Sequence, residues 1–446
     1  MPSAARDGRR LEFADDLFVR LHRGLGSPVV NQWTWRLEEP YDAAHVRRVA
    51  EGMARGALSR QWRRGLVPGA RDRWTASDVD SVADLHTTPI PADEVEAWLR
   101  DRAEQPLDPA RGRTCRLSAV DLDDGTSVVS LLLCHAVGDG GAVFDTVMRA
   151  AAGTPYRIPP VPSGLGRRIG EDLVDAGQQV AAVAEWGRAR LTWLARRDGA
   201  TAATAPAVER RSARPLDLPL DWRPPRLVAE LDSARLAEVA AAAGGSVNGL
   251  FAAMLARIVV ASGLLTDASA VRVALPVSVR EEGEIAANRT RIAVATFTPD
   301  MLASRDLSVV KAACKQAFSD LASAGPGDVP VPLALVQMLP DAVVRRLPQP
   351  PQAVALASNL GRVPDAFAAA MGPRARAVSA MAHYQGANAQ ENRQLGSGIG
   401  AWLTDAGTRT TLQVGAMAPD VVPTRERLRR LVADECATWG LTPQWW

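Results

Sequence analysis

The sequence predicts an α/β (α+β) protein that divides into two domains of similar size. Segments with apolar residues three and four positions apart alternate with period-two or continuous apolar segments, a pattern typical of alternating helices and strands. Residues 198–220 are rich in Ala, Thr and Pro and show neither period, so we interpret them as a linker. The order of elements is similar on both sides of it. We therefore expect an N-terminal domain at residues 1–197, a C-terminal domain at residues 221–446, and a duplicated unit.

The first domain is predicted to begin with a helix and a strand. Phe13, Leu17, Phe18 and Leu21 fall on one face of a helix. Residues 29–37 follow with the period-two character of a strand. This helix-then-strand order recurs along the chain.

Two further helices and a hairpin follow in the first domain. Asp42 suits the N-cap of one helix, and residues 91–102 have the amphipathic pattern of the other. Hairpin strands are predicted at residues 115–122 and 126–134, because an Asp-Gly step between them allows the positive φ of a tight turn. The second strand is nearly all apolar, so we expect it to be central and covered on both faces.

A long helix is predicted at residues 164–197, where Ile169, Leu173 and Val180 belong to a set with 3–4 spacing. Arginines flank this segment around Trp186, which allows two interpretations. We favour an amphipathic helix that packs on its own domain. The alternative is a helix that lies on a membrane surface.

The second domain repeats this alternation of strands and helices. Its predicted strands lie at residues 226–231, 271–279, 291–297, a short stretch before 359, 399–404 and 410–417. Its predicted helices lie at residues 233–243, 246–262, 308–322 and 424–439.

Composition excludes several classes of function. The 52 basic and 50 acidic residues are spread along the chain and give a net charge of +2, so no overall field favours nucleic acid. The four cysteines are widely separated and lack metal-ligand spacing, which argues against a zinc site or a disulfide framework. The start lacks a signal peptide, and no stretch approaches the roughly 18 apolar residues of a membrane span. We expect a cytoplasmic protein.

One histidine, His135, stands where the apolar strand ends and a glycine-rich turn begins; a helix is predicted after the turn at residues 142–149. Imidazole has an ordinary pKa of about 6.5, so it can take a proton from a hydroxyl or an amine and release it at neutral pH. Backbone N–H groups near Gly140 and Gly141, at the start of the helix, could stabilise an oxyanion. His135 is therefore our candidate for a general base in acyl transfer.

Other roles are open for the polar residues of this turn. His135 could be a core histidine hydrogen-bonded at a strand end. Cys134 could form a nucleophilic pair with it, but adjacent strand residues point to opposite faces, so we favour an unreactive thiol. Asp139 lies too near in sequence to reach the same ring, and we expect it to pair with an arginine.

Five segments of the chain resemble the motifs of one acyltransferase superfamily. His135-Ala136-Val137-Gly138-Asp139-Gly140 matches H-x-x-x-D-G. In the same order as in that superfamily, residues 107–117 resemble P-F-D-L-x-x-G-P-L-x-R, residues 246–253 resemble T-V-N-D-V-V-L-A-A, residues 275–280 with Asn288 resemble V-P-V-S-x-R…N, and residues 358–361 resemble S-N-x-G. From about residue 10 to its end the chain thus resembles the superfamily of condensation domains and wax ester synthase/diacylglycerol acyltransferases.

This resemblance implies two chloramphenicol-acetyltransferase-like domains that form a V-shaped pseudo-dimer with a central tunnel. The acyl thioester enters on one side and the nucleophile on the other, and they meet at His135. Asp139 then has a structural role, and Arg280 is the position that pairs with it. The resemblance also places three residues at the tunnel or at the crossover between the domains: Asn288, Ser358 and Asn359. His383 could line the acceptor side of the tunnel, although we favour a structural role.

The chain departs from the superfamily pattern at two points. The doubled histidine of the family is Cys134-His135 here, a mild change because the first position usually faces the core. The D-F-G-W-G motif of condensation domains is not evident, and residues 396–400 occupy roughly that region. This second difference favours the stand-alone acyltransferases over peptide condensation.

The sequence thus predicts an acyltransferase of specialised-metabolite or lipid biosynthesis. It would transfer an acyl group from acyl-CoA or a phosphopantetheinyl carrier protein to a small-molecule alcohol or amine, forming an ester or an amide. Neither a metal nor a permanently bound cofactor is expected. The alternatives are a wax ester/diacylglycerol acyltransferase and a non-catalytic protein that docks carrier proteins.

Overall fold

The computed structural model describes eight stretches of the chain. They are residues 9–79, 82–158, 164–197, 217–266, 269–325, 331–347, 353–396 and 398–446. Residues 198–216, which make up most of the predicted linker, lie outside the described residues. The expectation of an irregular linker there stays a prediction.

The N-terminal half of the chain forms most of a five-stranded sheet and the helices around it. Its strands are β1 (Val29–Leu37), β2 (Arg60–Arg63), β3 (Arg73–Ala76), β4 (Val82–Leu85), β5 (Cys115–Asp121) and β6 (Ser127–Cys134). Its helices are α1 (Phe13–Arg20), α2 (Ala43–Ala54), α3 (Val95–Ala103), α4 (Gly140–Ala151) and α5 (Leu165–Arg197), with a π-helical turn at Leu21–Leu25 and 3-10 turns at Ala92–Glu94, Pro109–Arg111 and His135–Val137. The strands β1, β6, β5 and β4 lie side by side, and β2 pairs with β3 separately. All eight residues of β6 are buried, which confirms the predicted central strand.

The second half of the chain forms a seven-stranded sheet. The strands of this half are β7 (Arg226–Asp232), β8 (Val271–Ser278), β9 (Thr290–Phe297), β10 (Ala355–Arg362), β11 (Ala377–Tyr384), β12 (Ile399–Asp405), β13 (Arg409–Ala416) and β14 (Gln444–Trp445), and all of them except β11 belong to this sheet. Its helices are α6 (Ser233–Ala242), α7 (Val247–Ser262), α8 (Pro299–Ala303), α9 (Leu307–Ser323), α10 (Leu333–Met338), α11 (Asp341–Val344), α12 (Asp365–Ala368), α13 (Ala389–Leu395) and α14 (Arg425–Thr438). The sheet order is β14-β7-β13-β12-β10-β8-β9. Helix α7 is mostly buried and packs against this sheet, because its sequence is apolar almost all round.

One strand of the second half belongs to the first sheet. β11 pairs antiparallel with β1, in a register that places Ala380 opposite Trp33. The segment before β11 fills the core of the first sheet with Phe367 and Met371, both fully buried. The indole N–H of Trp35 donates to the carbonyl of Phe367 at 2.9 Å. The two halves of the chain are therefore interlocked rather than merely adjacent.

The expected division into domains at residues 1–197 and 221–446 stays a prediction. The strand pairing shows one segment that does not follow this division. Residues 363–384 lie in the second half of the sequence but pack with the first sheet and its core. Nothing in their local pattern indicates this, because strand pairing over such a sequence distance depends on the whole fold.

Helix α5 packs with the opposite face from the one that its apolar spacing predicts. Leu173 and Val180 are 58% and 57% exposed, whereas Asp172, Asp175 and Gln179 are buried. The two carboxylates bind arginines and main-chain N–H groups of the preceding segment, so the helix buries paired charges instead of its apolar stripe. Among the described helices, none is by itself long and apolar enough to span a membrane; α6 and α7 together meet that criterion but are bent by 85°.

Candidate active site

The turn after β6 places one imidazole beside the start of a helix. The chain makes a single 3-10 turn over His135–Val137, and Gly138 is extended, with φ at −177°. Asp139 then caps α4 by accepting a hydrogen bond from the N–H of Ala142 at 3.0 Å. Because the first N–H groups of a helix have no partner within it, α4 presents hydrogen-bond donors and the positive end of its dipole at the turn.

Gly140 and Gly141 permit close packing rather than an unusual backbone conformation, since neither has a positive φ. A β-carbon at Gly140 would lie 2.8 Å from Cδ2 of Leu360, and one at Gly141 would lie 3.0 Å from Nε of Arg280. Both neighbours come from the second half of the chain. The missing side chains therefore let the two halves meet at the start of α4.

His135 is half-buried and is held from one side by an aromatic ring. The ring of Phe18 in α1 stacks on the imidazole, with 4.2 Å between centroids and 20° between planes. Burial lowers the pKa of His135 below its ordinary value, and the nearby Asp139 and Asn288 only partly oppose this effect. The imidazole is therefore neutral at pH 7, the protonation state that a general base needs.

The carboxylate of Asp139 joins the turn to the second half of the chain. Its Oδ1 accepts from Nη2 of Arg280 at 2.8 Å. Its Oδ2 accepts from the N–H of Arg289 at 2.6 Å and from the hydroxyl of Thr290 at 3.1 Å. The structure thus brings Asp139 and Arg280 together, and Asp139 makes no contact with the ring of His135.

Arg280 organises the loop that faces the turn. Nη1 donates to the carbonyl oxygens of Glu284 and Ala286, both at 2.9 Å, and Nη2 donates to the carbonyl of Ala287 at 3.0 Å. Ala287 also accepts from the backbone N–H of Asp139 at 3.1 Å. One guanidinium therefore fixes both the loop at residues 284–287 and the acidic residue of the turn.

Asn288 lies at the centre of the contact between the halves. Its Nδ2 donates to the carbonyl of His135 at 3.0 Å and to that of Ala136 at 3.2 Å. The same amide donates at 2.8 Å to the carboxylate of Asp15, which is 1% exposed. Asn288 was expected at the tunnel or crossover, and the structure places it directly behind the histidine.

Ser358 and Asn359 have no recorded contact with His135 in the described part of the chain. Nδ2 of Asn359 donates to the side-chain oxygen of Asn248 at 3.3 Å, so two of the motifs that carry the resemblance meet there. The neighbouring Leu360 is the residue that reaches Gly140. The strand β10 therefore borders the turn through Leu360 rather than through the two polar residues.

The thiol of Cys134 and the imidazole of His383 are both buried. Burial raises the pKa of the Cys134 thiol far above its ordinary value, so it is not a thiolate at neutral pH. His383 is buried as well, and burial lowers its pKa well below the ordinary value. The described residues contain no group of three or more His, Cys, Asp or Glu side chains that could hold a metal ion.

Three residues at the site were not identified from the sequence: Asp15, Phe18 and Arg60. Arg60 is fully buried, interacts with Asp15 and Asp139, and has a pKa that burial lowers to about 10. Phe18 was recognised only as part of an apolar helix face. The Glu12-x-x-Asp15 pattern of a capping box was the available signal for Asp15, because such a pattern fixes an acid in the first turn of a helix.

Comparison with known proteins gives matches in structure but not in sequence. No protein-family model matches the chain, and no curated protein sequence matches it. The condensation domain of the Monacolin K polyketide synthase MokA aligns with a TM-score of 0.58 at 12% identity, over 97% of this chain and 96% of that one. The first condensation domain of the CDA synthetase aligns with a TM-score of 0.56 at 16% identity, over 97% of both chains.

A solved acyltransferase has the same fold. The wax ester synthase/diacylglycerol acyltransferase from Marinobacter aquaeolei VT8 aligns with a TM-score of 0.54 at 12% identity, over 97% of this chain and all of that one. At identities this low, the alignments establish the fold only. Any argument about activity has to come from the residues of the site. The chain therefore has the fold of the condensation-domain and wax ester synthase/diacylglycerol acyltransferase superfamily, as the motifs of its sequence predict.

Proposed function

We propose that this protein is an acyltransferase in which His135 is the general base. The observation that carries the proposal is an imidazole at the end of a buried strand, beside the N-terminus of α4, where burial lowers its pKa below the ordinary value. Its ring is stacked on Phe18, and its backbone is held by Asn288 from the other half of the chain. A base fixed in this way can meet a nucleophile without reorganising.

The proposed reaction joins a thioester to a hydroxyl or an amine. Nδ1 of His135 is buried, so Nε2 is the nitrogen that would take the proton of the nucleophile. The nucleophile attacks the thioester carbonyl, and N–H groups of Gly140 and Gly141 would stabilise the resulting oxyanion. Collapse of this intermediate breaks the C–S bond, and the imidazolium returns its proton to the leaving thiolate. The products are a free thiol and an ester or amide.

The donor in this proposal is an acyl-CoA or an acylated phosphopantetheine arm of a carrier protein. Both end in the same thioester, so one base serves either donor. The likeness to condensation domains of synthetases supports a carrier-bound donor, and the likeness to a stand-alone acyltransferase supports acyl-CoA. The acceptor is a small-molecule alcohol or amine, and the reaction needs no permanently bound cofactor.

A wax ester or diacylglycerol acyltransferase is a second candidate function. It is supported by the alignment of the Marinobacter aquaeolei VT8 enzyme over its full length. This candidate differs from the first in its acceptor, which is a fatty alcohol or a diacylglycerol. Long-chain acyl-CoA offered with these two acceptors separates it from transfer to small polar acceptors.

Replacing the proposed base tests the mechanism. Purified protein is incubated with acetyl-, octanoyl- and palmitoyl-CoA and a panel of alcohols and amines, with thiol release and product mass as readouts. His135→Ala should lower the rate by at least about 10²-fold, the usual contribution of a general base. His86→Ala, at a half-buried histidine outside the site, is the matched control and should keep full rate. Near-full activity of His135→Ala would refute the mechanism, and acyl-donor binding without any product would favour a docking protein.

A further inference from the structure

Asp15 is a buried carboxyl behind the active-site turn that the proposed reaction does not use. Its Oδ1 accepts from the backbone N–H of Asn288 at 3.1 Å and from Nδ2 of Asn288 at 2.8 Å. Its Oδ2 accepts from the N–H of Glu12 at 3.1 Å and from the indole N–H of Trp74 at 3.3 Å. Four N–H donors therefore converge on one side chain that is 1% exposed.

The contacts of Asp15 lead directly to His135. The Asn288 amide that Asp15 holds donates to the carbonyl oxygens of His135 and Ala136. The helix that carries Asp15 also carries Phe18, whose ring stacks on the imidazole. A single helix, α1, therefore holds both the backbone and the ring of the proposed base.

We propose that Asp15 is a positioning residue whose ionised carboxylate orders Asn288 and α1 around His135, so that protonation of Asp15 loosens the general base. The inference rests on the proposed role of His135 and deepens it. Each oxygen of Asp15 accepts hydrogen bonds from two N–H groups. A proton bound to either oxygen would occupy an acceptor site and leave an N–H group without its partner. Buried N–H groups without an acceptor are costly, and the contacts around them rearrange.

The surroundings of Asp15 determine the pH at which its carboxylate is protonated. Burial raises its pKa to about 7, against the opposing effects of Asn288, Arg60, Glu12 and Trp74. Arg60 is the charged group that faces it, and Arg60 interacts in turn with the Asp139–Arg280 pair. The carboxylate is therefore intact above pH 7 and is lost as the pH falls below it. The pKa of His135 is lowered, so the imidazole itself titrates at a more acidic pH.

The linkage has a consequence for stability. A carboxyl whose pKa is raised on folding binds its proton more tightly in the folded state, so folding stability falls as the pH rises from the unfolded value towards 7. Above pH 7, where Asp15 is ionised, the free energy of unfolding is therefore lower than it would be with an unshifted pKa.

The titration of His135 in the intact protein tests this inference without a substrate. Histidine labelled with ¹³C at Cε1 is followed by NMR from pH 5 to 9, and the His135 signal is assigned by its loss in His135→Gln. We expect two inflections in the wild type: its own, below 6.5, and a second near pH 7 that reports Asp15. In Asp15→Asn the second inflection should be absent at every pH.

Asp16→Asn is the matched control, since Asp16 is buried on the same helix but pairs with Arg20 at 2.7 Å. It should keep the inflection near pH 7. With an acyl-CoA that the wild type turns over, Asp15→Asn should lower kcat by up to about 10²-fold and leave KM unchanged. A wild-type His135 signal without an inflection near pH 7 overturns the inference, whether or not Asp15→Asn folds. If His135→Ala is inactive and Asp15→Asn is fully active, the inference about Asp15 is wrong and the proposed function stands. If His135→Ala is active, the proposed function itself is wrong.

Discussion

At the scale of single residues, Arg280 shows how one side chain can serve both stability and the site. Its guanidinium binds the carboxylate of Asp139 and three carbonyl oxygens of the loop that faces the turn. The side chains of Arg280 and Asp139 are only 11% and 6% exposed. Removing this cation would leave the buried carboxylate with neutral hydrogen-bond donors and the electrostatic interaction with Arg60.

We therefore expect Arg280→Ala to lower both stability and rate. Breaking one partner of a buried ion pair costs about 3–5 kcal/mol, and the loop at residues 284–287 loses three hydrogen bonds as well. Urea unfolding followed by tryptophan fluorescence measures the loss. Arg280→Lys keeps the charge without the fork of donors, so it should fall between Arg280→Ala and the wild type. A midpoint for Arg280→Ala equal to that of the wild type would show that this contact does not join the halves.

The centre of the site was accessible from the sequence because it is local, and its surroundings were not. His135, Asp139 and the two glycines fall in one short turn with a recognisable pattern. Asp15 and Phe18 reach the same turn from α1, more than a hundred positions earlier. A buried acid such as Asp15 has no periodic sequence pattern. Its hydrogen-bond donors and its charge partner come from four separate segments of the chain. Such residues emerge only when the fold is known.

At the scale of elements, α5 shows the limit of hydrophobic periodicity. Its apolar stripe predicted the buried face, yet the buried face carries Asp172 and Asp175. Asp172 accepts from the N–H of Leu66 and pairs with Arg10 and Arg73. Periodicity ranks faces by transfer free energy and ignores such paired charges, so it selected the wrong side of this helix.

Removing one of these carboxylates should weaken the packing of α5 on the rest of the protein. Asp172→Ala should lower the free energy of unfolding by about 3 kcal/mol, because Arg10 and Arg73 each lose a buried carboxylate partner and the N–H of Leu66 loses its acceptor. Leu173→Gln on the exposed stripe is the control and should change stability by less than about 0.5 kcal/mol. Chemical denaturation of both variants gives the two values. A larger loss from Leu173→Gln than from Asp172→Ala would show that the apolar face of α5 is covered in solution.

The strand β11 was the main element that the sequence did not indicate. Its residues, Ala-Val-Ser-Ala-Met-Ala-His-Tyr, contain three alanines and no clear alternation of apolar and polar positions. It is a strand because β1 offers eight paired positions along its length. The longer apolar elements, such as β1, β6 and α7, were predicted within a residue or two of their ends.

At the scale of the whole molecule, β11 and the C-terminus hold the two sheets together. The carbonyl of Val378 in β11 accepts the hydroxyls of Thr404 and Thr411, which belong to the second sheet. Glu230 in β7 accepts from the indole N–H of Trp446 at 2.7 Å and from Arg376 at 2.8 Å. Because Arg376 directly precedes β11, this buried carboxylate bonds the second sheet to the edge of the first.

We expect Glu230→Gln to loosen this junction without unfolding either sheet. The variant exchanges a charged acceptor for a neutral one, which weakens two buried hydrogen bonds by about 1–3 kcal/mol in total. Hydrogen exchange should rise together at residues 226–232 and 377–384 and stay unchanged at residues 290–297, at the far edge of the second sheet. Glu238→Gln, whose side chain is 67% exposed, should leave all three unchanged. Faster exchange at 226–232 with unchanged exchange at 377–384 would mean that Glu230 serves its own sheet only, and that it does not join β7 to β11.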